Sequence, residues 1–176
     1  MKRLLLGALL IGVLGLGLPA CNPGTGANQG TGASPTPSAT TESVDQIAAL
    51  LQQHDDAMNR QDLDGVINVF APGPKTVAMG TGPGERWQGR DEIRGAYTEI
   101  FKDFDKGTST HNCDWKTGQI TGNTAWLAAM CKFSDSKAGK KREYELNVSG
   151  ALEKQGDKWY FTMLHYSNLT GGGGSN

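Results

Sequence analysis

The stretch "KWYFTMLHYS", residues 158–167, carries the strongest signal for the fold. Its side chains alternate between two faces, as they do in a β-strand. One face holds Trp159, Phe161, Met163, His165 and Ser167. Both faces are largely apolar, which is typical of a central strand covered on both sides. We therefore predict a central strand whose more apolar face ends in a histidine and a serine.

Upstream of this strand, the apolar spacing predicts three helices. Residues 44–60 form an amphipathic helix in which His54 falls inside the apolar arc. A short second helix follows Asp62, which can cap it, and the third helix covers residues 90–104 after Gly89. A short hairpin separates the second and third helices, and four strands follow the third. This order predicts an α+β domain with helices on one face of a curved antiparallel sheet.

Three stretches carry a resemblance to a known family: "MNRQDLDGVINVFAP" (58–72), "GTGPGERWQGRDEIR" (80–94) and "GDKWYFTMLHYS" (156–167). Residues 44–170 resemble the SnoaL-like domains of the nuclear transport factor 2-like superfamily, which includes ketosteroid isomerase. The resemblance implies a cone-shaped fold, a curved mixed or antiparallel sheet packed on three N-terminal helices. It also implies a homodimer formed through the sheet.

The same resemblance implies a pocket inside the cone. When the residue spacing of the predicted helices and strands is mapped onto this fold, six side chains fall at the pocket: His54, Trp87, Tyr97, Phe101, Trp115 and His165. His111 shares a strand face with Trp115, and that face is either the pocket face or an outer one. His165 and His54 are the candidate bases. The sequence offers no carboxylate and donor set of the isomerase type. We expect no cofactor and no metal site.

Cys113 and Cys131 lie on the two strands of one predicted hairpin. A three-residue turn at residues 121–123 places them directly opposite each other, at a Cα separation that suits a disulfide. A two-residue turn instead places Cys113 opposite Lys132. The first register predicts a disulfide, which an exported protein would retain.

The chain begins with a basic "MKR" and an apolar run that ends in "LPAC", residues 18–21. This pattern predicts a signal peptide over residues 1–20 and resembles a bacterial lipobox, in which Cys21 receives lipid. An ordinary cleaved signal or an uncleaved anchor is the alternative. Residues 21–43 are rich in Gly, Ser, Thr and Pro, and this composition predicts a disordered tether. Residues 171–176 are predicted to form a flexible tail. We expect an exported, membrane-anchored lipoprotein on the periplasmic or cell-surface side.

The formal net charge of -1 and the lack of a basic patch argue against a nucleic-acid partner. Three functions stay open. The first is a module that binds a small apolar molecule in the cone. The second is an isomerase-, dehydratase- or cyclase-type enzyme that uses a pocket histidine as base. The third is a dimerisation or assembly module of the envelope.

Overall fold

A computed structural model describes the backbone of residues 41–169 and the side chains of residues 44–169. The predicted signal peptide (1–20), Cys21, nearly all of the tether (21–43) and the tail (171–176) lie outside the described residues. Helix α1 spans Thr41–Asn59, α2 spans Leu63–Asn68 and α3 spans Gly89–Ile100. No helix in this part of the chain is long and apolar enough to cross a bilayer.

The sequence explains the short second helix. The Asp62 carboxylate accepts a hydrogen bond from the Gly65 amide at 2.9 Å, so it caps α2 as predicted. The apolar residues Val66 and Ile67 then turn inward and are buried. Phe70 follows directly and is fully buried against Phe161 of the last strand.

Six strands form one mixed, curved sheet. Their bounds are β1 Val77–Met79, β2 Arg86–Gln88, β3 Thr110–Thr121, β4 Thr124–Lys137, β5 Lys140–Gln155 and β6 Lys158–Asn168. The spatial order is β2-β1-β6-β5-β4-β3. Strand β1 runs parallel to β6, and every other neighbouring pair is antiparallel. The predicted four-strand meander and the central position of β6 are confirmed.

The β3–β4 hairpin combines the two registers that the sequence left open. Thr121 pairs with Thr124, so the turn has two residues and not three. A β-bulge at Asp114 then shifts the pairing by one, and Cys113 comes to lie opposite Cys131 after all. The two cysteines form a disulfide, with their Cα atoms 3.9 Å apart. The predicted bond is therefore present, although the predicted turn was wrong.

A second bulge lies in β6. Leu152 pairs with Phe161 and Ala151 pairs with Met163, which leaves Thr162 without a partner. The bulge reverses the alternation of faces for the rest of the strand. Phe161 and Leu164 consequently both point into the core, where 0% and 1% of their surface is exposed.

Helix α1 packs closely on the inner face of the sheet because a glycine leaves room for it. A Cβ atom on Gly118 would lie 2.6 Å from Ile47 Cδ1 and 2.6 Å from the carbonyl oxygen of Trp126. Ile47 is fully buried at this contact. The core lies between the helices and the inner face of β4–β6, and the wider end of the cone is left open.

Candidate functional site

The open end of the cone is a cavity of about 870 Å³ between the helices and the inner face of the sheet. Most of its wall area is apolar, and Trp87, Ile100, Phe133 and Leu164 are among the lining residues. A cavity of this size and composition is typical of small-molecule sites. Polar side chains gather where α1 faces α3 and the strands β3 and β6.

Three of the six predicted pocket residues line this cavity: His54, Trp87 and Tyr97. His54 comes from α1, Tyr97 from α3 and Trp87 from β2. Phe101 does not line it. Its ring packs against the hydrophobic core and meets Phe104 edge-on at 6.3 Å, so it lies behind the cavity wall.

The placement of Trp115 and His165 in the pocket was wrong. The bulge at Asp114 turns Trp115 to the outer face of the sheet, where half of its surface is exposed. The bulge at Thr162 does the same to His165, whose partner on β5 is Ser149. Tyr166 takes the inward position next to it and lines the cavity. His165 is therefore no candidate base for chemistry in this cavity.

His54 is held on both sides of its ring. Its Nδ1 lies 2.8 Å from the Asp55 carboxylate, which can only accept, so Nδ1 carries the proton. In the neutral ring, Nε2 then accepts from the Tyr97 hydroxyl at 2.7 Å. Only 2% of His54 is exposed. With both nitrogens occupied, His54 positions Asp55 and Tyr97 and has no free lone pair with which to act as the predicted base.

The carboxylate of Asp55 is the centre of the polar cluster. Its Oδ1 faces His54 and lies 3.4 Å from the Tyr166 hydroxyl. Its Oδ2 is 3.4 Å from Nδ1 of His111. Oδ2 is buried and has no hydrogen-bond partner among the described residues. Such an atom is costly to leave unsatisfied.

The phenols beside Asp55 stay protonated. Burial, followed by the negative charge of Asp55, raises the pKa of Tyr97 far above its ordinary value of 10.0. The same two causes, in the same order, raise the pKa of Tyr166. Both hydroxyls are therefore donors throughout the neutral range, and neither is a candidate phenolate nucleophile.

A row of stacked rings forms the wall of the cavity beyond this cluster. His111, Phe133 and Tyr144 are cross-strand partners on β3, β4 and β5. The centroids of Phe133 and Tyr144 are 5.6 Å apart in nearly parallel planes, and His111 lies 5.7 Å from Phe133. Such pairs stabilise the sheet locally and hold the rings in one orientation.

An ion-pair network fixes the rim next to these rings. Arg142 contacts both oxygens of Asp135, at 2.6 and 3.1 Å, and reaches Asp103 at 3.0 Å. Asp135 is 4% exposed and also accepts from the Tyr144 hydroxyl at 2.9 Å. The hydrogen bond from Lys137 is the main cause of the lowered pKa of Asp103. This network joins the loop after α3 to the β4–β5 hairpin.

The comparisons with known proteins agree with this architecture. A family model described as a SnoaL-like domain matches residues 47–170. The chain belongs to the SnoaL-like domain family. No curated protein sequence matches it.

Several solved structures similar to this SnoaL-like domain are described as members of the nuclear transport factor 2-like superfamily. A superfamily member from Salmonella enterica is 21% identical, with a TM-score of 0.63, over 78% of this chain and 99% of that one. A superfamily member of unknown function from Pseudomonas putida is 15% identical, with a TM-score of 0.60, over 73% and 88%. A proposed dehydratase from Streptomyces avermitilis is 16% identical, with a TM-score of 0.62, over 74% and 99%. At these identities the likeness shows the fold alone.

Sequence reasoning missed two members of the SnoaL-like site. Asp55 was not among the predicted pocket residues, and its signal was its position beside His54 in the apolar arc of α1. Tyr166 was assigned to the other face of β6, and only the bulge brings it inward. His111 was left undecided, and the structure places it on the cavity wall. Within residues 44–169, no group of three or more His, Cys, Asp or Glu side chains could hold a metal ion.

Proposed function

We propose that this SnoaL-like domain binds a small, largely apolar molecule that carries one polar group. The observation that carries the proposal is the cavity of about 870 Å³, together with the unsatisfied Oδ2 of Asp55, a residue that lines it. The apolar body of the ligand would contact the aromatic wall, and its polar group would meet Asp55 and Tyr166.

The test is binding of the apolar fluorophore N-phenyl-1-naphthylamine, followed by its fluorescence. Ala96 of α3 is 8% exposed and lines the cavity, so Ala96→Trp should fill part of it. We expect at least about tenfold weaker binding. Thr98→Trp is the matched control, because Thr98 lies on the same helix but is exposed and away from the cavity. Equal binding by wild type and Ala96→Trp, with both variants folded, would contradict the proposal.

A second candidate function is proton transfer of the isomerase or dehydratase type, with His111 as the base. His111 lies on the cavity wall, and its Nδ1 is 3.4 Å from a carboxylate. If Nδ1 donates to Asp55, Nε2 is free to take a proton from carbon, and Asp55 stabilises the imidazolium that forms. The same nitrogen would return the proton to another carbon of the substrate.

Conversion of 3-cyclohexenone to its conjugated isomer, followed by ultraviolet absorbance, tests this second function. His111→Gln should lower the rate about 10²- to 10⁴-fold if His111 is the base. His165→Gln is the control, because His165 lies on the outer face. An unchanged rate in His111→Gln would exclude this role.

We also propose export and lipid attachment at Cys21, on the sequence pattern "LPAC". Metabolic labelling with palmitate should mark the wild type and not Cys21→Ser.

Self-association through the outer face of the sheet is a further proposal. Trp115, Trp126 and Met130 are 45–50% exposed there and share one face. Light scattering should report a dimer that Trp126→Lys weakens.

A further inference from the structure

The charges around the cavity are strongly unequal. Six carboxylates line it, and Arg142 is the single Lys or Arg side chain among the described lining residues. The six are Asp55, Asp56, Glu85, Glu99, Asp103 and Asp135.

Three of these carboxylates are offset by cations. Arg142 contacts Asp135 and Asp103, Lys137 also contacts Asp103, and Lys102 pairs with Glu99 at 2.6 Å. Arg142 is thereby fully engaged and is not available to an anionic ligand.

The other three, Asp55, Asp56 and Glu85, have no Lys or Arg partner within residues 44–169. Asp56 and Glu85 are exposed at the rim, whereas Asp55 lies deeper and is 12% exposed. The cavity lining therefore carries three carboxylates without a Lys or Arg partner, and Asp55 is the most buried of the three.

The surroundings of Asp55 supply donors to one of its oxygens only. His54 and Tyr166 face Oδ1, and Oδ2 has the ring of His111 at 3.4 Å without a hydrogen bond. With both imidazoles neutral, the cluster keeps one negative charge in a largely apolar space. A buried carboxylate is strongly stabilised by a cation that also donates a hydrogen bond.

We infer that the ligand of this cavity is a hydrophobic ammonium ion, a protonated amine on an apolar or aromatic body, whose N–H donates to Asp55 Oδ2. The inference rests on the proposed binding function and adds the charge of the ligand to it. The rings of Trp87, Tyr97 and Tyr166 line the same cavity, and aromatic rings attract cations as well as apolar groups. The negative charge of Asp55 would disfavour carboxylate ligands of the same shape.

Three probes with the same aromatic body and different charges test the inference. They are 2-naphthylmethylamine, 2-naphthalenemethanol and 2-naphthoate, each measured by calorimetry with the full chain. Mildly alkaline buffer keeps the amine charged and the naphthoate ionised. We expect the ammonium ion to bind at least about tenfold more tightly than the alcohol, and the alcohol more tightly than the carboxylate.

Asp55→Asn removes the charge and keeps an oxygen that can accept from His54. It should abolish the preference for the ammonium ion over the alcohol, so that the two bind within about threefold of each other. Asp157→Asn makes the same chemical change at an exposed position in the β5–β6 turn, away from the cavity, and should preserve the preference.

The outcomes separate the two proposals. If the alcohol binds the wild type as tightly as the ammonium ion, the cavity binds ligands but the inference about charge is wrong. If none of the three binds, and N-phenyl-1-naphthylamine also fails, the proposed function itself is overturned. The wild-type series decides the inference even if Asp55→Asn fails to fold.

Discussion

The disulfide between Cys113 and Cys131 gives the sharpest prediction of stability. It joins β3, an edge strand of the sheet, to β4, and its cysteines are 18 residues apart in sequence. Closing a loop of this length lowers the entropy of the unfolded chain, which stabilises the folded domain by about 3 kcal/mol. For a domain of this size, such a loss lowers Tm by roughly 10 °C.

The assay is urea denaturation of the chain carrying Cys21→Ser, so that only these two cysteines remain. Addition of reductant should lower the free energy of unfolding by about 3 kcal/mol. The slope of the unfolding free energy against urea concentration should become slightly steeper, because the unfolded chain expands when the bond is broken. The double variant Cys113→Ala/Cys131→Ala should be insensitive to reductant, which serves as the control.

The bond also affects the site, because His111 lies two residues before Cys113 on the same edge strand. Hydrogen exchange of the β3 amides should increase after reduction more than that of β5. Two free thiols in the folded, unreduced protein would refute the reasoning, and so would a denaturation midpoint that reductant leaves unchanged.

Three further predictions concern the cluster and the core. Tyr97→Phe leaves the buried His54 Nε2 without its donor and should cost about 1–3 kcal/mol in urea denaturation. Tyr160→Phe should be nearly neutral, because the Tyr160 hydroxyl makes no hydrogen bond within residues 44–169. The raised pKa values of Tyr97, Tyr144 and Tyr166 mean that unfolded phenols lose protons which the folded ones keep. These groups therefore leave the stability unchanged below about pH 10, and the stability falls as the pH rises above about 10. A Tm that stays level from about pH 9.5 to 11 would contradict this prediction. Gly118→Ala should destabilise by about 1–3 kcal/mol through its contacts with Ile47 and the backbone, whereas Gly95→Ala, with open space around it on α3, should be neutral or stabilising; equal melting curves for the two would count against the close packing of α1.

Much of the fold could be predicted from the sequence because it depends on local periodicity. The apolar spacing indicated the three helices and the meander, Asp62 marked the start of α2, and the resemblance added the mixed sheet. The inward position of His54 followed from its place in the apolar arc of α1. These features need only the positions of residues within one element.

The errors in the site that concern strand residues come from the two bulges. Periodicity of two assumes an unbroken strand, and each extra residue reverses the faces beyond it. Asp114 and Thr162 have no local feature that marks them as bulged residues, so Trp115 and His165 were assigned inward and Tyr166 outward. The role of Asp55 was missed for another reason: its importance depends on His111 and Tyr166, which are remote in sequence and meet it only in the fold.

The bulge at Thr162 also decides how the interior of this domain could change during evolution. Deletion of Thr162 would only make the strand regular, because Met163 and the residues after it would keep their present partners on β5. A substitution that flattened the bulge while keeping Thr162 would instead slip the end of the strand by one residue and place His165 opposite Val148. The imidazole and the phenol of Tyr166 would then exchange sides of the sheet with no change in chain length.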